Sequence, residues 1–138
     1  MKKSKHVNEL HLKAMDIAEL AFIAQRKGKL DQAKQLSKEA FTYERQAAML
    51  LLNDYDIEPT RSVLFRSAAC LALDFKDYRE AERMVAFGLS GNPPPEILEE
   101  LRELLISDIP IRSTKPLSIS LSQRRPSAVS LPVTAGAV

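Results

Sequence analysis

The chain has 138 residues, 45% of them hydrophobic and 28% charged, with one cysteine, four glycines and no tryptophan. That length suits one small domain, or a domain with a tail, and a formal charge of +2 excludes strong bulk attraction to polyanions. A lone Cys70 excludes an intramolecular disulfide, and no apolar run approaches the ~20 residues of a bilayer span.

Low glycine and aromatic content, with abundant Ala, Leu, Glu, Lys and Arg, predicts an all-α protein. Met1 to Lys5 resembles the basic start of a secretion signal, but Glu9, Lys13, Asp16 and Glu19 interrupt the stretch after it, so a cytoplasmic protein is expected. Residues 1–6 are expected as a basic N-terminal arm. From Val7 to Lys27, Leu10, Ala14, Ile17, Ala21 and Ala24 fall on one helical stripe, and Gly28 ends the helix. A second helix starts near Leu30 or Asp31, buries Ala33, Leu36, Ala40, Ala47 and Leu51, and stops in Asn53 to Asp56. The short connection makes the two antiparallel.

Pro59 fits the first turn of a third helix with Leu64, Ala68, Leu71 and Phe75 inward. Lys76-Asp77 turns the chain into a fourth, Tyr78 to Leu89, that buries Ala81, Met84, Val85 and Gly88. After Pro93-Pro94-Pro95, a fifth helix from Glu96 to Ile106 places Ile97, Leu101, Leu104 and Leu105 on one side and Glu96, Glu99, Glu100 and Glu103 on the rest. Residues 107–138, with four prolines and seven serines, are expected to form a flexible basic tail. Between the basic ends, residues 6–106 hold 13 basic and 17 acidic residues. Leu117 to Ser122 alternates with the period of a strand, and Arg124-Arg125-Pro126-Ser127 matches a kinase site of a kind common by chance.

Shifting the chain by 48 residues places Ala21 on Ala69, Ala24 on Ala72, Leu30 on Tyr78, Ala33 on Ala81 and Ala40 on Gly88. Small residues meet small residues where antiparallel helices come closest. The runs Ile17-x-x-Leu20-Ala21-x-x-Ala24 and Phe65-x-x-Ala68-Ala69-x-x-Ala72, followed by Asp77-Tyr78-Arg79-Glu80-Ala81 and Pro93, make residues 14–106 resemble the tetratricopeptide repeat. A helical bundle with alanines lining its core, or a three-helix arrangement like the microtubule-interacting and trafficking domain, is the alternative. The resemblance implies two antiparallel hairpins over residues 7–106, stacked as a short right-handed solenoid, with the fifth helix as a cap. The 48-residue spacing exceeds the family's 34, so the second helix or the loop after it is expected to be extended.

The chemistry argues against an enzyme. His6 and His11, five apart, do not share a helical face as metal ligands would. Cys70, among Ala69, Leu71 and Ala72, is expected to be a buried, inert thiol, and no glycine-rich loop could cradle phosphate. The glutamates at 96, 99, 100 and 103 are expected to form a solvated face. No metal and no cofactor are expected. The resemblance implies a partner-binding groove lined by Met15, Ala18, Phe22 and Gln25 of the first helix and Val63, Arg66, Cys70 and Leu73 of the third. It implies an adaptor or scaffold that holds another protein or a second copy of itself, with no membrane partner. The alternative is an accessory protein whose basic ends contact nucleic acid, against which stand an acidic body and ends without aromatics to stack on bases.

Overall fold

The computed structural model describes residues 2–110. Among them stand five α-helices and no strand: α1 (Lys2–Arg26), α2 (Leu30–Leu50), α3 (Thr60–Asp74), α4 (Tyr78–Leu89) and α5 (Pro95–Glu103), the last running on into a π-helical turn, Leu104–Asp108. α1 packs on α2, α2 on α3 and α3 on α4, while α5 lies against α3 and α4. The alanines at 21, 33, 69 and 81 are all buried, as close nesting of paired helices requires.

The two hairpins turn in the same way. Gly28 has a φ of +78° and Lys76, 48 residues on, has a φ of +65°. Lys29 N–H donates to the Ala24 carbonyl at 2.9 Å and Asp77 N–H to that of Ala72 at the same distance. Gly28 N–H reaches Gln25 O and Lys76 N–H reaches Leu73 O, both at 3.0 Å. Each pair of bonds is the double closure of a helix that ends on a left-handed residue. Glycine takes that backbone without strain; lysine does not. Lys76→Gly is therefore expected to stabilise the fold by about 1 kcal/mol, read as a higher urea midpoint at unchanged slope. A lower midpoint would contradict it.

The last three helices have identifiable starts. Asp77 caps α4 by accepting from Glu80 N–H at 3.1 Å. Pro95 opens α5, where its missing N–H is no loss. Glu58 Oε1 accepts from the Ser62 backbone and hydroxyl over the first turn of α3. The second helices of the hairpins are joined by Glu80, which receives Arg45 of α2 at 3.3 Å and Arg83 of its own helix at 3.2 Å.

The hairpins differ in length. α1 has 25 residues against 15 for α3, and α2 has 21 against 12 for α4. Residues 2–6, expected as an arm, are the first turns of α1. Lysine is a good helix former, so an apolar stripe that begins at Val7 marks where burial starts, not where the helix does. At the other end Leu104 and Ile109, five residues apart across the π-helical turn, are both buried, so the body continues past residue 106, while Leu105, expected inward, is exposed. The expected tail lies, from residue 111 on, outside the described residues, together with the period-two segment and the Arg124-Arg125 pair. Among the described residues no helix is long and apolar enough to cross a membrane.

Candidate functional site

The extra turns of the first hairpin build a site. Residues 2–11 of α1 and the end of α2 project beyond the part that matches the second hairpin, and a cleft of about 960 Å³ opens between this extension and the start of α3. Its apolar surface comes from Val7, Leu51, Ile57, Pro59, Val63 and Leu64. The α1 wall adds Lys3, Ser4, Lys5, Asn8 and His11, and the opposite wall adds Asp54 and Thr60. Lys3 Nζ meets Asp54 Oδ2 at 2.9 Å across one end. Because both partners are partly exposed, that bridge closes the end of the cleft without contributing much stability.

His11 is held from behind. Its Nδ1 lies 2.9 and 3.1 Å from the two carboxylate oxygens of Glu44 on α2, which has no exposed surface. With Nδ1 directed at Glu44, Nε2 is the ring atom left for a ligand. A buried carboxylate positioned in this way fixes the ring of a half-exposed histidine and so presents a defined polar point beside an apolar floor.

The loop that carries the other wall is pinned by Arg61, which is fully buried. Its Nε donates to the carbonyls of Leu51 and Leu52 at 3.2 and 3.1 Å, and Nη2 donates to Leu52 at 2.9 Å. These carbonyls lie just past the last turn of α2, where helix geometry leaves acceptors unpaired. The guanidinium sits between the rings of Tyr55 and Phe65, at 5.0 and 5.1 Å from their centroids. Arg61 thus ties the end of α2 to α3 and sets the position of Ile57, Pro59 and Val63 in the cleft wall.

Of the eight residues assigned to a groove, Val63 lines the cleft. On α1, Ser4, Asn8, His11, Met15, Ala18, Phe22 and Gln25 form one stripe by steps of four and three, so the expected residues continue the cleft wall toward the other end of the helix. Met15 and Ala18 are half-buried against the core, and Phe22, 61% exposed, lies under the Arg26 guanidinium. Gln25 is exposed. On α3 the stripe divides: Leu73 packs on the core, and Arg66 turns to Glu100 of α5 in an ion pair.

Cys70 is exposed, which corrects its expected burial: α3 buries its faces toward α2 and α4, and Cys70 lies on neither. Neighbouring protein nevertheless pushes its thiol pKa up, chiefly by desolvation, with Asp74, Asp108 and Glu100 adding to the rise and Arg66 opposing it. A thiol in that setting is a poor nucleophile at neutral pH. Among the described residues no three potential metal ligands gather.

Periodicity does not point to His11, which enters the sequence reading only as a rejected metal ligand beside His6, but Glu44 and Arg61 each carry a signal. Glu44 falls on the stripe of Ala33, Ser37, Ala40, Ala47 and Leu51, and Arg61 on that of Phe65, Ala68, Ala72 and Phe75. A charged residue in register with buried apolar ones needs a partner. No protein-family model, curated protein or solved structure matches the chain.

Proposed function

We propose that this chain is a non-catalytic protein-binding module, a short tetratricopeptide-like stack of two hairpins and a capping helix, whose docking site is the cleft between α1 and α3. The cleft carries this reading: one wall is the start of α1 and the other is the α2–α3 loop with the start of α3, and between them Val7, Leu51, Ile57, Pro59, Val63 and Leu64 present an apolar surface beside the polar groups of the α1 wall. The 48-residue correspondence of the turns supports the repeat architecture. The apolar lining suits an aliphatic side chain from a helix or extended segment, at about 25 cal/mol for each Å² covered.

Pull-down with mass spectrometry tests the reading on wild type, Val63→Glu and Phe22→Glu. Val63 is half-buried at the cleft edge, so a glutamate there is tolerated by the fold but places a charge where apolar surface should dock. Val63→Glu is expected to weaken capture about 100-fold, about 2.7 kcal/mol. Phe22→Glu is expected to act only on a partner long enough to track the whole α1 stripe. Retention should hold between low and physiological salt, whereas phosphate-driven binding would fall steeply. A partner held equally by wild type and Val63→Glu would move the site elsewhere.

A further inference from the structure

We propose that the cleft receives the α5 end of a second copy of this chain, so that copies associate head to tail; this rests on the reading of the cleft as a docking site. Two surfaces at separate places in the fold, the cleft and the capping helix, carry complementary chemistry. The cleft has an apolar floor, and on its α1 wall Lys5 pairs with no carboxylate among the described residues while His11 is held with one nitrogen toward Glu44. Lys3 is already engaged by Asp54.

The matching surface is the outer side of α5. Leu101 and Leu104 face the core, and Glu100 is taken by Arg66. Glu96, Glu99 and Glu103 succeed one another at steps of three and four and are all exposed, and the exposed Ile106 follows in the π-helical turn. Glu96 and Glu99 make no ion pair among the described residues, and Glu103 accepts only from the Ser107 hydroxyl, at 3.1 Å. Ile106 is 80% exposed and Leu105, beside it, 40%. Ile106 and Leu105 together leave an apolar pair open at the end of α5, and a second copy's cleft would cover it. Seated on Val7, Val63 and Leu64, the pair would bring the exposed carboxylates of α5 toward Lys5 and His11.

One molecule cannot satisfy both surfaces. α5 is packed on α3 and α4, so its outer stripe cannot reach the cleft of its own chain without leaving the fold. The contact is therefore made between copies; unless two copies exchange caps reciprocally and close as a two-fold pair, it extends into a ring or an open chain, which a mass that keeps rising past the dimer identifies.

The experiment uses the full chain in light scattering and sedimentation from about 1 to 500 µM, a range that brackets weak and moderate interfaces. Wild type is expected to gain mass steadily with concentration. Val63→Glu, which blocks the cleft, and Ile106→Asp, which blocks the cap, are each expected to stay monomeric. Their equimolar mixture is expected to form a one-to-one dimer and nothing larger, because it contains one working cleft and one working cap. Circular dichroism checks that both variants stay helical, and since both sites reach solvent the fold should persist. Wild type that stays monomeric overturns the proposal; if Val63→Glu still loses a captured partner, the docking reading survives it. Val63→Glu that self-associates as strongly as wild type overturns the proposal, and the docking reading falls with it only if the variant also keeps every captured partner. A mixture that stays monomeric overturns the head-to-tail geometry.

Discussion

Arg61→Ala is expected to lower folding stability by about 2–4 kcal/mol, a large share of the total for a domain of this size. Three hydrogen bonds to the Leu51 and Leu52 carbonyls disappear. Leu51 O keeps the Asp54 N–H at 3.0 Å, so the larger loss falls on Leu52. The space between the Tyr55 and Phe65 rings is also emptied, which adds a cavity cost. One effect runs the other way: Nη1 is buried with no partner among the described residues, and removing that group relieves a desolvation penalty. Arg61→Met, which keeps volume and sheds the charge, is therefore expected to cost only about half as much.

Gly91 supplies the internal control. A Cβ built there would overlap Arg61 Nη1 and stand 2.9 Å from Cζ. The far end of an arginine usually swings aside, but this one is fixed by its carbonyl partners and its two flanking rings. Gly91→Ala is expected to cost about 1–3 kcal/mol in the wild-type background and close to nothing once Arg61 is alanine. Urea midpoints for the four members of the cycle measure the coupling, expected to exceed about 1 kcal/mol. Additive single effects would mean that Arg61 moves freely and does not fix the cleft wall.

Burial along the helices is legible in the sequence at most positions of a stripe of constant pitch, although Leu10, Ile17, Leu36 and Phe75 are only half-buried and Cys70 is exposed. All four inward positions expected on α4 are buried, as are Ala14, Ala21 and Ala24 on α1. The period failed where the helix itself changed pitch, at the π-helical turn, and where helix continued without burial, over Lys2 to His6. The cleft was illegible for a different reason. It needs the rotation of α1 relative to α3 and the path of the loop between α2 and α3, and neither is a property of any one stripe. The loop path depends on Arg61, a long-range contact that periodicity does not encode. Phe22 and Gln25 were placed in register with the cleft wall but at its far end, because a seven-residue spacing fixes the face of a helix and not where along it a neighbour stands apart.

The pair that anchors the cleft leads to an unequal prediction. Glu44 is wholly buried and His11 is 33% exposed, so the two partners do not lose equally when the contact is broken. His11→Leu leaves a carboxyl group with neither water nor its imidazole partner, and is expected to cost about 2–4 kcal/mol. Glu44→Met removes the buried polar group and leaves a histidine that water can reach; it is expected to cost less than about 1 kcal/mol. The double variant, with an apolar pair in place of a polar one, is expected to return to within about 1 kcal/mol of wild type. Thermal or urea unfolding of the three variants checks the order. Equal losses for the two single variants would contradict the burial of Glu44. Because the double variant folds while lacking the imidazole in the cleft wall, it also separates stability from recognition: a ligand that uses His11 should bind it more weakly than wild type, and one that uses only the apolar floor should not.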